Sequence, residues 1–126
     1  MEYIAIALGG GIGAVLRYGI TVLVQSWTGP GFPFGTLMVN VVGSLLIGFV
    51  VVFLHHRYHG NEIIRLFLVI GVLGGFTTFS TFSLDTVYLI QSGLVIKAMW
   101  NIVVSFSACL FSVYLGMEIA RTTLRI

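Results

Sequence analysis

The charged residues of this chain are so widely spaced that long apolar runs lie between them. Only Arg17 interrupts the run from Glu2 to Arg57, and only Asp85 interrupts the run from Arg65 to Lys97. A charge at the bilayer centre costs at least about 2.5 kcal/mol, and a helical span needs about 20 apolar residues. The pattern therefore predicts an all-α integral membrane protein with four spans: Tyr3 to Trp27, Phe34 to His55, Glu62 to Ile90 and Ala98 to Ile119.

The four predicted spans use nearly the whole chain, so we expect residues 1–126 to form one membrane domain. Short connections are expected at Thr28–Pro33, which holds both prolines, at His56–Asn61 and at Gln91–Lys97. Aromatic side chains favour the interface between bilayer and water. Four aromatic residues fall near the predicted span ends and support these boundaries: Trp27, Tyr58, Tyr88 and Trp100.

The composition excludes most other classes of protein. Apolar residues make up 58% of the chain and charged residues 8%, with a mean hydropathy of +1.09, whereas a soluble domain carries about 25% charged residues. The single cysteine, Cys109, cannot form an internal disulfide. Six basic residues scattered among apolar runs form no nucleic-acid patch, so the net charge of +2 is assigned to contacts with lipid head groups.

The basic residues are distributed unequally between the two expected sides of the membrane. An even number of spans places both termini and the His56–Asn61 connection on one side. That side carries Arg57, Arg65, Arg121 and Arg125, against Lys97 alone on the other side. Basic residues favour the cytoplasmic side, so the distribution alone favours cytoplasmic termini. So few charges constrain insertion weakly, and a dual topology stays open.

Asn40 is too polar for its place in the second predicted span. Thr36 and Asn40 share a helix face at i,i+4, with Gly43 beside them at i,i+3. The simpler interpretation is an interhelical hydrogen bond, worth about 0.6 to 2 kcal/mol in a membrane. The alternative is an amide that lines a polar track and donates to a solute.

The third predicted span contains the most unusual segment. Between Gly71 and Ser83, two adjacent glycines, Gly74 and Gly75, precede five hydroxyl residues. Such a helix is expected to break at mid-membrane, where unwound backbone is tolerated only if it is buried in protein or lines a cavity. A bound cation would satisfy the freed carbonyl groups. The alternative is a simple kink with hydroxyls bonded back to the i−4 carbonyl.

Phe79 and Phe82 lie on one helix face if the helix resumes after this segment. Such a pair is usually part of a packed core. The edge of an aromatic ring is electropositive, however, so two edges aimed at one point would attract a small anion. The neighbouring hydroxyls favour this second interpretation.

Other polar residues also allow two interpretations. In the fourth span, Asn101, Ser105 and Cys109 repeat at i,i+4 and Ser112 follows, which suits either helix association or a pore lining. Arg17 either extends to the membrane interface or gives a vestibule a positive potential.

Two further patterns are explained better by structure than by chemistry. No cysteine lies near the three histidines at the end of the second span, His55, His56 and His59. We therefore expect solvated side chains there and no zinc site. Residues 9–13, Gly-Gly-Gly-Ile-Gly, look like half a nucleotide fingerprint, but no strand precedes them and close helix contact explains them better.

Three motifs together resemble the CrcB or Fluc family of fluoride channels. They are GGGIGA at residues 9–14 followed by Arg17 and Tyr18, GTLMVNVVG at residues 35–43, and GGFTTFSTF at residues 74–82. The resemblance covers the first three spans closely and the fourth by position. Aligned family members often carry a tyrosine where this chain has Asn101, so Ser105 and Ser112 are the weaker assignments.

The resemblance implies a passive, fluoride-selective channel that exports fluoride from the bacterial cytoplasm through the inner membrane. It implies an antiparallel, dual-topology homodimer with two pores and a central structural sodium ion. By motif, the fluoride pore contains Asn40, Phe79, Phe82, Ser80, Thr81, Thr36, Ser105 and Ser112, and Arg17 lies in the vestibule. The sodium ligands are the backbone carbonyls of Gly74 and Thr77.

Physical chemistry agrees with this expectation. Fluoride needs donors to replace its hydration shell, and conduction requires weak, multiple sites, which an amide, hydroxyls and ring edges supply without a full charge. One four-helix subunit fills its own core with side chains, so a dimer is expected to form the path.

Two competing functions belong to other classes. A small multidrug-type proton-coupled antiporter needs a carboxylate embedded in the membrane, but Glu2 lies at the start of the first span and Asp85 lies late in the third. A non-conducting assembly subunit would use the polar residues for helix association. An enzyme is not expected, because no catalytic set comes together in the predicted spans.

Overall fold

The computed structural model describes residues 1–57 and 61–126, so the predicted interface residue Tyr58 and the third histidine, His59, lie outside the described residues. Within those two ranges the ordered elements are all helical, with no β-strand. They are α1 (Glu2–Thr28), α2 (Phe34–Arg57), α3 (Glu62–Arg65), a π-helical segment (Leu66–Leu73), α4 (Gly74–Phe76), α5 (Phe79–Gln91) and α6 (Val95–Leu124).

The four predicted spans are confirmed as four helical stretches that are long and apolar enough to cross a membrane. Within residues 1–57 and 61–126 they are α1, α2, the range Glu62–Gln91 and α6. The first three match the predicted bounds within two residues. The α6 helix is longer at both ends than predicted, because its charged end residues find partners. Lys97 Nζ donates to the Gly31 carbonyl at 2.9 Å, and Arg121 pairs with Glu118 at 2.5 Å.

The glycine run of α1 packs directly against the backbone of the third span. A Cβ atom on Gly9 would lie 2.5 Å from the Phe67 carbonyl oxygen, and one on Gly13 would overlap the Val72 carbonyl oxygen. A Cβ atom on Gly75 would lie 2.6 Å from the carbonyl oxygen of Gly10. The prediction of close helix contact at residues 9–13 is therefore confirmed. Glycine permits such backbone approach, as is common in membrane helix interfaces.

The α2 and α6 helices form the second close pair. A Cβ atom on Gly48 would overlap the Val113 carbonyl oxygen, and one on Gly116 would overlap the Leu45 carbonyl oxygen. Val39 and Ala120 have no exposed surface. The first and third spans therefore pack as one pair and the second and fourth as another, with the site described below between α2, α5 and α6.

The backbone of the third span leaves the helical conformation at two threonines. Gly74 is still helical, with φ −64° and ψ −39°, whereas Thr77 (φ −84°, ψ 156°) and Thr78 (φ −151°, ψ 116°) are extended. Helix α5 then begins at Phe79. The helical conformation therefore ends after the paired glycines, at Thr77. Gly75 packs against Gly10 of α1.

Candidate functional site

A cavity of about 330 Å³ lies between α2, the Thr77–Thr78 segment, α5 and α6. We call it the aromatic cavity. Its lining residues are Asn40, Ser44, Ile47, Thr77, Thr78, Phe79, Phe82, Ser105, Phe106, Cys109 and Leu110. It therefore brings together four of the residues predicted for the pore, from three different helices: Asn40, Phe79, Phe82 and Ser105.

Asn40 holds the extended segment in place with both ends of its amide. Its Nδ2 donates to the Thr78 carbonyl at 2.9 Å, and its Oδ1 accepts from the Thr78 N–H at 2.7 Å. In a continuous α-helix the Thr78 N–H would donate to the Gly74 carbonyl four residues earlier. The side chain of α2 thus replaces the backbone partners that the third span loses.

Thr78 is also the N-cap residue of helix α5, which begins at Phe79. Sequence reasoning did not select Thr78 as a site residue. Its Oγ1 accepts from the Thr81 N–H at 3.1 Å, as threonine commonly does at a helix N-terminus. The same hydroxyl donates to Thr81 Oγ1 at 3.0 Å and lies 3.2 Å from Ser80 Oγ. Ser80 and Thr81, both predicted for the pore, are therefore bound to Thr78 and do not line the aromatic cavity. The signal that could have identified Thr78 is a threonine three residues before Thr81 at a helix start.

Three aromatic rings meet at the aromatic cavity. Phe79 and Phe82 have centroids 5.4 Å apart with their planes at 41°. Phe106 of α6 packs at 5.9 Å and 86° to Phe82, and at 6.5 Å and 74° to Phe79. The two contacts of Phe106 have the separations and angles of contact between ring edge and ring face, and the Phe79–Phe82 pair is tilted. Phe106 was missed because it lies one position after the polar residue Ser105, outside the i,i+4 pattern.

A second cavity, of about 440 Å³, lies beneath the connection between α1 and α2. We call it the loop cavity. It is lined by Thr21, Gln25, Pro30, Phe32, Pro33, Thr36, Thr81, Asp85, Tyr88, Leu89, Ser92 and Leu94. The predicted pore residues Thr36 and Thr81 lie here, apart from Asn40. Thr36 Oγ1 donates to Asp85 Oδ2 at 2.6 Å, so its one hydroxyl hydrogen already has an acceptor.

Gln25 fixes the connection that covers the loop cavity. Its Nε2 donates to the Gly29 carbonyl and, at 3.1 Å, to the Phe32 carbonyl. Its Oε1 accepts from the Gly35 N–H at 3.4 Å. One side chain of α1 thus binds both the connection and the first turn of α2.

Three predicted site residues, Arg17, Gly74 and Ser112, are not among the lining residues of either cavity. Arg17 is half-buried, and its Nη1 lies 3.4 Å from the Thr77 carbonyl oxygen, one of the two predicted sodium ligands. Gly74, the other, is exposed on the surface of the subunit. Ser112 is buried on α6 and is not among the lining residues of either cavity.

The fourth-span polar residues are joined to α5 by hydrogen bonds. Asn101 Nδ2 donates to Thr86 Oγ1 at 2.9 Å, and Ser105 Oγ donates to Asn101 Oδ1 at 3.4 Å. Helix association is therefore one function of this stripe. Ser105 and Cys109 also line the aromatic cavity.

The ligand chemistry of the described residues does not resemble a transition-metal centre. Residues 1–57 and 61–126 contain no cluster of three or more His, Cys, Asp or Glu side chains that could hold a metal ion. His55 and His56 are exposed at the end of α2. The oxygens at the Thr77–Thr78 segment are neutral, from backbone carbonyls and from the hydroxyls of the two threonines.

The fold and the site define a small multi-pass membrane protein with a polar and aromatic cavity between its helices. Residues 4–117 match the family described as CrcB-like protein, Camphor Resistance (CrcB). The fluoride-specific ion channel FluC of Shewanella piezotolerans is 50% identical over 114 residues, covering 90% of this chain and 91% of the relative. FluC of Ruminiclostridium cellulolyticum is 46% identical over 122 residues, covering 97% and 94%. FluC of Legionella pneumophila is 42% identical over 122 residues, covering 97% and 91%.

The chain therefore belongs to the CrcB family of fluoride ion channels, and the resemblance drawn from its three motifs is confirmed. Members of a channel family are not enzymes, so the expectation that the chain is not an enzyme is also confirmed. The family and the four apolar helices make it a multi-pass membrane protein, consistent with the bacterial inner membrane.

Proposed function

We propose that this protein is a passive, fluoride-selective channel that exports fluoride from the bacterial cytoplasm. The observation that carries the proposal is the aromatic cavity, in which the Asn40 amide, the Ser105 hydroxyl and the Phe79 and Phe82 rings converge without a charged side chain in the lining. Relatives of this family with 42% to 50% identity are named fluoride-specific ion channels. Fluoride is the transported partner.

Asn40 is well suited to donate to a dehydrated anion. A carboxamide nitrogen carries two hydrogens, and the contact with the Thr78 carbonyl uses one of them. The bridge to Thr78 fixes the orientation of the amide, and the second hydrogen is left for an anion in the aromatic cavity. A neutral donor held in place replaces part of the hydration shell without binding the ion too tightly to leave.

Purified protein in liposomes tests this function directly. Vesicles loaded with potassium fluoride are diluted into medium without fluoride, and efflux is recorded with a fluoride electrode. A passive channel releases fluoride rapidly only after valinomycin lets potassium compensate the charge, and it releases chloride far more slowly from matched vesicles. Efflux at the rate of protein-free vesicles would refute the proposal.

The competing functions give different results in the same vesicles. An electroneutral proton-coupled antiporter would move its substrate without valinomycin and would change the internal pH in step. An assembly subunit would release nothing. Neither is favoured by the comparisons, and Asp85, the carboxylate that lines the loop cavity, already accepts a hydrogen bond from Thr36.

The active assembly is proposed to be an antiparallel, dual-topology homodimer with two pores. Phe79 is 69% exposed and Phe106 is 49% exposed on the single subunit, although both line the aromatic cavity. One subunit therefore leaves the cavity open at the aromatic rings, and a second copy would complete its wall.

Cysteine labelling tests this topology. Thr123→Cys in a Cys109→Ala background places one thiol at the exposed end of α6. A membrane-impermeant maleimide should label about half of the chains from outside sealed cells and the remainder only after lysis. Labelling confined to one side would contradict dual insertion.

A structural sodium ion is proposed at the Thr77–Thr78 segment, held by the carbonyls of Gly74 and Thr77 from each subunit. The Thr78 N–H is diverted to Asn40, which deprives the exposed Gly74 of its α-helical donor. Among residues 1–57 and 61–126, the Thr77 carbonyl has only the long contact with Arg17. Neutral oxygens without a carboxylate suit a monovalent cation better than calcium or magnesium. Bound there, the cation would supply positive charge that joins two antiparallel subunits.

The sodium proposal is tested by dimer stability as well as flux. Protein exchanged rigorously into N-methyl-D-glucamine buffer should dissociate or unfold at lower temperature than protein in sodium buffer, and sodium should restore it. Radioactive sodium should not accompany fluoride across the membrane. Equal stability in both buffers, or sodium moving in fixed proportion to fluoride, would refute a fixed structural ion.

A further inference from the structure

Asn101 is almost completely enclosed, with 2% of its surface exposed, and it does not line the aromatic cavity. Its two hydrogen-bonding partners, Thr86 on α5 and Ser105 on α6, are each 7% exposed. A polar side chain this deeply buried needs partners, because a buried polar group without a hydrogen bond destabilises the fold. Thr86 is hydrogen-bonded to the carbonyl of Phe82, and both Phe82 and Ser105 line the aromatic cavity. Asn101 is thus connected to two residues of the cavity lining, a connection that helix association alone does not use.

The hydrogen bonds have only one consistent direction. Thr86 Oγ1 donates its single hydrogen to the Phe82 carbonyl at 2.7 Å, so toward Asn101 it acts as an acceptor. Asn101 Nδ2 must therefore face Thr86, at 2.9 Å, and its Oδ1 must face Ser105. This assigns the amide orientation from the network and directs the Ser105 hydroxyl hydrogen toward Asn101, away from the cavity.

The geometry points to Asn101 as a positioning residue for the site: through Thr86 it anchors the turn that carries Phe82, and it competes with the transported anion for the hydroxyl hydrogen of Ser105. This inference rests on the proposed function. The distance from Ser105 Oγ to Asn101 Oδ1 is 3.4 Å, near the long limit of a hydrogen bond. The hydroxyl can therefore turn from the amide oxygen to an anion at small cost.

A double-mutant cycle in liposomes tests the competition. Asn101→Leu keeps the branched shape of the amide but removes both hydrogen bonds, which frees the Ser105 hydroxyl for fluoride. The fluoride concentration that gives half-maximal flux should fall by about threefold. In a Ser105→Ala background the same substitution should leave that concentration unchanged, because no hydroxyl remains. Equal effects in both backgrounds would overturn the competition.

Thr86 variants test the anchor with a structural readout. The 19F NMR signal of 4-fluorophenylalanine at position 82 should broaden or split in Thr86→Val and Asn101→Leu, and should stay narrow in Thr86→Ser, which keeps the hydroxyl. The matched control is Thr123→Val. Thr123 makes the same hydroxyl contact to an i−4 carbonyl, at 2.7 Å to Ile119, on an exposed part of α6. An unchanged signal in both test variants would overturn the anchor.

The two readouts separate this inference from the proposed function. A parent protein that does not release fluoride refutes the channel, and the 19F signal then decides the positioning role by itself. A parent that conducts, with an additive cycle and an unchanged signal, refutes the role of Asn101 alone. Thr86→Val preserves side-chain volume and serves as the milder variant if Asn101→Leu fails to fold.

Discussion

The aromatic cavity and the loop cavity contain similar hydroxyl residues but offer an anion opposite environments. The aromatic cavity has an amide, hydroxyls, a thiol and three rings, and its lining includes no carboxylate. The loop cavity contains the Asp85 carboxylate, which already accepts the hydroxyl hydrogen of Thr36 at 2.6 Å. The hydroxyls of Thr77, Thr78 and Ser105 donate to neutral oxygens, whereas the Thr36 hydroxyl donates to a carboxylate. A carboxylate holds a hydroxyl hydrogen more strongly than a neutral oxygen does, so the Thr36 hydrogen is less available to an anion. The identity of a polar residue matters less than the partner it already has.

Asn40→Asp in the aromatic cavity should have the largest effect. The substitution keeps an acceptor for the Thr78 N–H, but it removes the donor to the Thr78 carbonyl and adds a negative charge beside the path. We expect fluoride efflux from liposomes to fall by about 100-fold or more, roughly 3 kcal/mol. Size-exclusion chromatography and thermal unfolding are the controls for folding. A folded dimer with parental flux would mean that Asn40 only joins the helices.

Gly43→Ala should be next, because it tests how rigid the wall of the aromatic cavity is. A Cβ atom on Gly43 would overlap Thr77 Cγ2 and lie 3.1 Å from Phe76 Cδ1. Forcing extra volume into such packing costs about 1–3 kcal/mol. Thermal unfolding in detergent should show this loss, and flux should fall about tenfold as Thr77 shifts.

The control for Gly43→Ala is Gly19→Ala on α1, where an added Cβ atom meets nothing within 4 Å. It should leave the unfolding temperature unchanged or raise it slightly, since alanine favours helix. Similar losses in the two variants would show that the Thr77 contact is not the cause.

Phe79→Ile and Phe82→Ile should have intermediate effects. Each keeps most of the apolar bulk but removes the electropositive ring edge. We expect flux to fall by about five- to tenfold while dimer stability changes little, with the ring contact at 5.4 Å lost in both. The matched control is Phe111→Ile, an exposed position on α6. Loss of the dimer with unchanged flux per remaining dimer would show that both rings contribute to packing and not to fluoride conduction.

Thr36→Val in the loop cavity should have the smallest effect. Its hydroxyl hydrogen is committed to Asp85, so its removal takes no free donor from an anion. We expect less than about a twofold change in fluoride efflux, against the much larger loss for Asn40→Asp. A tenfold loss for Thr36→Val, with thermal stability retained, would show that the loop cavity also contributes to fluoride conduction and would contradict the distinction.

The spans and much of the site were predictable because they depend on local patterns. Charge spacing located all four helices, and the motifs at residues 35–43 and 74–82 located Asn40, Phe79 and Phe82. The i,i+4 relation between Thr36 and Asn40 predicts a shared helix face, and both residues lie on α2. Four residues extend about 6 Å along a helix, however, which is enough to separate the two residues into different cavities.

Other features depended on packing that the sequence does not show. Phe106 reaches the aromatic cavity only because of the way α6 rests on α5. The glycine pair suggested where the third span unwinds, but Gly75 is occupied by its contact with α1 and the extended residues are Thr77 and Thr78. Thr86, one of the two partners of Asn101, is fifteen positions away, and no helical period predicts that contact.

The packing of the α1 glycines determines which of these positions can change during evolution. Residues 9–13 look like one motif, yet an added Cβ atom at Gly13 would overlap the Val72 carbonyl oxygen, whereas one at Gly11 would meet nothing within 4 Å. Alanine or serine at Gly11 is therefore tolerable to this subunit, and the same change at Gly13 requires two helices to separate. Within a single run of glycines, one position therefore accepts a larger residue in this subunit, and a position two residues away does not, because the backbone of another span lies against it.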